Sequence, residues 1–308
     1  MNTGKQMQAE FRTWLSPPNP SINHNIACDI HHEGTAIWFI QGGKFNEWKE
    51  KGSLLWIRGN RMPFSPNQPF KTVNIFSISQ RDPERVYFGA WFHSGSGNRN
   101  LTALSSSAII KNIKQMQESK SALIAYYYFD FKDIAKRDLR GLLSSILLQL
   151  AGNSDSCWHV LHWLYKSCSD GSEQPSEATL TQCLGNMIDL PEQIPIYLIF
   201  DALDECPNNS GIPSDREKVL NFIQDLFGSD HPNLFVCITS RPEQDISAAL
   251  DPLTSPPNLI SLHNEGGQRQ DIDSYVRSFV QTDAIMRRWK AEDKELVINV
   301  LPERAGGM

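Results

Sequence analysis

The stretch with the clearest chemical potential is Ile196 to Glu205, IYLIFDALDE, where an apolar run delivers Asp201 and then, within one turn, Asp204 and Glu205. A buried strand of this kind ends where open α/β sheets bind ligands, at the carboxyl edge. Three carboxylates on one edge repel one another, and hydrated Mg²⁺ bridging to nucleotide phosphates relieves that repulsion. One carboxylate then holds the metal through water while a neighbour orients or deprotonates the attacking water. The same acids also suit a helix N-terminus, so an acidic cap after the strand is the alternative. A second run, Leu234 to Glu243 (LFVCITSRPE), ends in Thr239, Ser240 and Arg241 before Pro242 stops the strand and Glu243 opens a helix. Arg241 there can sense a γ-phosphate or pair with Asp201, Asp204 or Glu205, and this segment leaves both roles open.

Positioning these groups calls for a sheet covered on both faces. Ala122 to Phe129, Ile196 to Phe200 and Leu234 to Thr239 are continuously apolar, as strands under helices on both sides must be, and Asn258 to Leu262 is a weaker fourth. Ile134 to Leu150 and Arg216 to Phe227 carry helical spacing and read as crossover helices, with further helices over Asp271 to Val280 and Glu292 to Leu301. Ahead of them, Ser53 to Ile57 reads as another buried strand, ending in Arg58-Gly59. Residues 1–52 form an aromatic lead-in with a Pro-rich SPPNP at Ser16 to Pro20. The expected fold is therefore α/β, a mostly parallel sheet flanked by helices over residues 53–305. A long irregular insert over 60–103 interrupts it, rich in Pro, Asn and Ser, and helical periodicity resumes at Leu104.

Composition narrows the function classes. The chain has 308 residues with 29 Lys+Arg against 35 Asp+Glu, a net charge of -6, which gives no electrostatic reason to expect nucleic acid. No segment has the length of apolar sequence that a membrane span or signal peptide needs, so no membrane partner and a cytoplasmic location are expected. Six scattered cysteines read as reduced thiols. Cys157, His159, His162 and Cys168 could be written as a metal set, but they share a helix with Trp158, Leu161, Leu164 and Tyr165 and would spread around its axis. His31, His32 and Glu33 read as a polar turn beside Gly34, and no G-x-S-x-G elbow supports serine hydrolysis.

Together these segments resemble the NACHT-type P-loop NTPases of the STAND class, in particular fungal proteins whose NTPase module is also called a nephrocystin-like N-terminal domain. The resemblance runs through WLSPPNPSINHN, HEGTAIWFI, FNEWKEKGSLLWIRG, YYYFDFKD and RDLRGLLSSILLQL, and spans residues 11 to 59 and 104 to 305. It implies Asp201 as the Mg²⁺-associated Walker B acid, Asp204 and Glu205 as the acidic pair for water activation, and Arg241 as a sensor. It also implies ATP or GTP as ligand and hydrolysis as a conformational timer, with protein partners or self-association on either side of the switch. The family's effector and recognition repeats are not in the chain, which is expected to be a fragment.

The sequence departs from that family at the phosphate loop. The form G-x-x-x-x-G-K-[ST] is needed because successive N–H groups wrap the phosphates, Lys neutralises charge and the hydroxyl ligates Mg²⁺. No such string is present. The candidates left are Gly59 at the strand end and Gly95, Ser96 and Gly97 in HSGSGNRN. Arg99 is the cation beside them, and it does not replace a Lys conservatively. Two accounts stand: a domain that has lost its loop, or a misread stretch translated between two family-like parts. If the loop is lost, the fold would survive as a non-enzymatic interaction scaffold.

Overall fold

A parallel sheet needs helices on both of its faces, and the chain supplies them from both sides of the 60–103 segment. The computed structural model describes residues 2–30, 37–59, 96–191, 193–208, 211–261 and parts of 273–305. The lead-in is helical: α1 (Asn2–Leu15), α2 (Ser21–Ile30), α3 (Ile37–Ile40) and α4 (Gly43–Lys51). The first strand, β1 (Ser53–Arg58), is followed after the undescribed segment by α5 (Ser96–Glu118) and β2 (Leu123–Tyr128). A 3-10 turn at Ile134–Lys136 leads into α6 (Leu139–Asn153), then α7 (Asp155–Ser167) and α8 (Glu177–Ile188). The remainder runs β3 (Ile196–Asp201), α9 (Asp215–Gly228), β4 (Leu234–Ser240), α10 (Gln244–Leu250), β5 (Leu259–Ser261) and α11 (Ala291–Ala305).

The five strands pair in parallel in the order β2-β3-β4-β1-β5, an α/β arrangement of the P-loop NTPase-like type. Their register aligns Tyr128 with Asp201 and Arg58 with Ser240, so the carboxyl ends of β2, β3, β4 and β1 form one edge. Alternate residues divide between two cores, as the pleat requires. Leu54, Trp56, Leu198, Phe200, Val236 and Ile238 face a core shared with α1 and α6 to α10. Leu55, Ile57, Tyr197, Ile199 and Cys237 face a second core with α3, α4 and α5. The lead-in aromatics are therefore integral to the sheet's cover: Phe11 belongs to the first core, and Phe45 and Trp48 to the second, all three fully buried.

Local chemistry sets the helix boundaries. Asp138 accepts a hydrogen bond from the Gly141 N–H and caps α6, which splits the single helix expected over Ile134 to Leu150. Ser214 and Glu217 form a capping box at the start of α9. In α7 the buried positions are Cys157, Leu161 and Leu164, while His162 stacks on Trp158 at 4.8 Å. That is the core helix expected there. Among the described residues no group of three His, Cys, Asp or Glu side chains could hold a metal.

The extent of the irregular insert requires correction. Helix α5 begins at Ser96, ahead of Leu104, so residues 96–103 are helical and not part of a loop. GSGNRN carries no apolar periodicity, and helix continued through polar positions leaves no such trace in sequence. Residues 60–95 and the polar turn expected at His31, His32 and Glu33 lie outside the described residues. The helix expected from Asp271 is seen in part, with residues 273–274, 276–278 and 280–282 helical. All six cysteines are free, and no helix among the described residues is long and apolar enough to cross a membrane.

Candidate functional site

The site forms where β3 and β4 end against α5. Asp201 closes β3 with a side chain only 4% exposed, and its Oδ1 accepts from the hydroxyls of Thr239, at 2.6 Å, and of Ser106. No donor reaches Oδ2 among the described residues. Burial raises the Asp201 pKa to about 6, with Asp204 adding to the rise and the two hydroxyl bonds opposing it. The carboxyl is thus largely ionised at neutral pH, the form that a divalent cation needs.

Thr239 does a second task. While its hydroxyl donates to Asp201, the same oxygen accepts from the Ala202 N–H at 3.0 Å. Ala202 is left-handed, with φ 56 and ψ 46, which costs a non-glycine residue about 1 kcal/mol. That turn sends the chain directly into the 3-10 segment Leu203–Glu205, and so brings Asp204 back beside β4.

The three acids therefore part company. Asp204 takes the Arg241 backbone N–H on Oδ1 at 3.0 Å and the Arg241 Nε on Oδ2 at 2.6 Å. Of the two roles left open for Arg241, the structure contains the ion pair with Asp204. Glu205 turns away and accepts from the Phe131 N–H at 3.3 Å, in the turn that follows the neighbouring β2.

Of the residues expected on phosphate, Gly59 continues the β1–β4 ladder by donating its N–H to Ser240 O at 2.9 Å. That N–H is committed, so a cradle of N–H groups would begin beyond it, because the pairing with β4 extends past Ile57. Ser96 and Gly97 open α5, where side chains up to residue 105 lie outside the described residues, and Gly95 lies outside altogether. As for a metal, a buried carboxylate held through one oxygen by hydroxyls offers the hard oxygen donor that Mg²⁺ prefers, and on this side of the site the residues fit.

Two participants escaped the sequence reading. Ser106 lies on the buried stripe Ser106, Ile109, Ile110 and Ile113 of α5, all 0% exposed. Arg216 lies on the corresponding stripe of α9 with Val219, Leu220 and Ile223, and donates to Cys206 O at 2.8 Å, Asp204 O at 2.7 Å, Glu243 at 2.7 Å and Asp245. A polar residue at i in an otherwise apolar i, i+3, i+4, i+7 row was the available signal in both cases. For Arg216 there was a second one, since a cation in the first turn opposes the helix dipole.

A strand order of 2-3-4-1-5 with a buried acid at the carboxyl end of β3 defines the class: a parallel α/β domain with a P-loop NTPase-like fold. Within it, residues 94–241 match the family model described as Nephrocystin 3, N-terminal. That span begins just before α5 and ends at Arg241, so it takes in Ser106, Asp201, Asp204, Glu205 and Thr239. It also takes in the first turns of α5 from Ser96. No curated protein matches the chain.

Proposed function

We propose that this chain is a nucleoside-triphosphate-binding switch module of the NACHT/STAND kind, taking ATP or GTP with Mg²⁺ within a signalling or fungal self/non-self recognition protein. The observation that carries this reading is Asp201, a buried carboxylate at the carboxyl end of a central parallel strand, held by hydroxyls from α5 and β4. The match over residues 94–241 supports it as the family context. In this reading Asp201 would hold the metal through water, and Ser106 and Thr239 keep its carboxylate in one orientation. When bound, Mg²⁺ would neutralise charge on the nucleotide phosphates. Glu205, which accepts from the Phe131 N–H, would in this reading polarise a water. A switch further requires that nucleotide bind two arrangements of the domain unequally, and protein partners or further copies of the chain would read the difference.

Thermal unfolding with millimolar Mg²⁺-ATP or Mg²⁺-GTP tests this. A ligand that binds only the folded chain stabilises it by RT ln(1 + [L]/Kd), about 2.7 kcal/mol at a hundredfold excess over Kd. The shift should disappear in Asp201→Asn. No shift with either nucleotide refutes the reading and leaves the non-enzymatic interaction scaffold, which the absence of a G-x-x-x-x-G-K-[ST] string favours.

A further inference from the structure

The lead-in helix α2 reaches the carboxyl edge of the sheet through His24. This ring is only 7% exposed, packs 5.0 Å from the Tyr126 ring, and has different neighbours on its two nitrogens. Nδ1 lies 3.1 Å from the Tyr128 hydroxyl, while Nε2 lies 3.3 Å from Lys114 Nζ on α5 and 3.6 Å from Cys28 Sγ. Burial, and then the Lys114 charge, push the His24 pKa down to about 4, so at neutral pH the ring carries one N–H. An ammonium can only donate, which makes Nε2 the acceptor and leaves the ring hydrogen on Nδ1. His24 therefore donates to the Tyr128 oxygen.

That bond leaves the Tyr128 hydrogen to be given elsewhere. Burial, and then the Asp201 charge, raise the Tyr128 pKa, so the hydroxyl keeps its hydrogen at neutral pH. The side chain is 3% exposed, and no acceptor among the described residues takes the hydrogen, although a buried donor needs one. Asp201 is the Cα partner of Tyr128 in the β2–β3 ladder, and both side chains leave their strands on the α5 face. Asp201 Oδ1 takes two hydroxyls, and Oδ2 has no donor among the described residues. A hydroxyl with a hydrogen to give and a carboxylate oxygen still to be met, on adjacent strands, can both be satisfied by one bridging water.

We propose that Tyr128 is a positioning residue for the Asp201 site: its hydroxyl, oriented by His24, donates to a water held on Asp201 Oδ2, a water that belongs to Mg²⁺ when the metal is bound. This rests on the nucleotide reading above and makes the lead-in helix part of the ligand site as well as of the sheet's cover.

Helix α2 has a second anchor, since Lys136 Nζ donates to Asn23 Oδ1 at 2.6 Å, so single changes at His24 leave it held. Calorimetric Kd values for ATP and GTP, each with Mg²⁺ and with EDTA, are compared in the wild-type chain, Tyr128→Phe, His24→Asn, His24→Gln and the Tyr128→Phe/His24→Gln double variant. Circular dichroism checks that each is folded. Tyr128→Phe should lose about tenfold in affinity for the Mg²⁺-nucleotide, the scale of one hydrogen bond, and nothing in EDTA. His24→Asn, whose amide N–H replaces Nδ1–H, should stay near wild type. His24→Gln, whose amide reaches the place of Nε2 instead, should fall to the level of Tyr128→Phe, and the double variant should lose no more than Tyr128→Phe alone. Wild-type Mg²⁺-nucleotide affinity in folded Tyr128→Phe, or equal losses in His24→Asn and His24→Gln, overturns the proposal and leaves the nucleotide reading standing. If the wild-type chain binds neither Mg²⁺-nucleotide, the nucleotide reading itself fails and the proposal with it.

Discussion

Asp201→Asn should make the folded chain more stable at neutral pH, although it removes the residue most central to the site. The side chain is 4% exposed, and burial lifts its pKa from 3.8 to about 6 despite the Ser106 and Thr239 bonds. Because the folded pKa lies above the unfolded one, the folded state holds the proton more tightly. Ionised Asp201 therefore costs stability above about pH 6, and the cost is relieved as pH falls towards the unfolded value. That rise corresponds to about 3 kcal/mol at pH 7.5, shrinking to under about 1 kcal/mol at pH 4. Asn is near in shape, keeps an Oδ1 acceptor for both hydroxyls and carries no charge. Urea unfolding of both chains in Mg²⁺-free buffer at the two pH values measures the gain directly. His24, pushed down to about 4 by burial and by Lys114, titrates in the same window with the opposite sense. It loses stability on acidification, but it is common to both chains and cancels in the difference. An Asn variant less stable than its parent at pH 7.5, or a gain that persists undiminished at pH 4, would refute the reasoning.

Arg216→Met should cost about 3–5 kcal/mol in denaturant unfolding, because it strips donors from Asp204 O and Cys206 O and leaves Glu243 and Asp245 without their buried partner. A loss under about 1 kcal/mol would mean that Arg216 does not fasten the acidic turn. Gly141→Ala should also destabilise, by about 1–3 kcal/mol, since a Cβ there would lie 2.3 Å from Ala135 O and 2.8 Å from the Tyr127 hydroxyl. A melting temperature equal to that of the parent would show that the start of α6 can shift to make room.

What could be read in the sequence was whatever local pattern encodes. Ile196 to Phe200 and Leu234 to Thr239 read as strands covered on both faces, because a parallel sheet buries a continuous apolar run on both sides, and the observed strands run one residue further, to Asp201 and Ser240. Asp201 was legible for the same reason: an acid that ends such a run is carried to the sheet's carboxyl edge. Helix α5 was legible only from Leu104, where apolar spacing begins, and its polar first turns from Ser96 were not.

Choices among partners belonged to the tertiary structure. The sequence supplied Arg241 and three candidate acids within a few residues, but the left-handed Ala202 decided that Asp204 meets Arg241 while Glu205 turns to the Phe131 N–H. Ser106 and Thr239 stand 95 and 38 residues from Asp201, and only the docking of α5 and the β3–β4 register brings both hydroxyls to one carboxylate oxygen. Periodicity acts over a few residues and so determines which segments form elements and which faces they bury. Which side chains meet across those faces depends on strand order and helix docking, and these are set by the burial of both faces of the sheet at once.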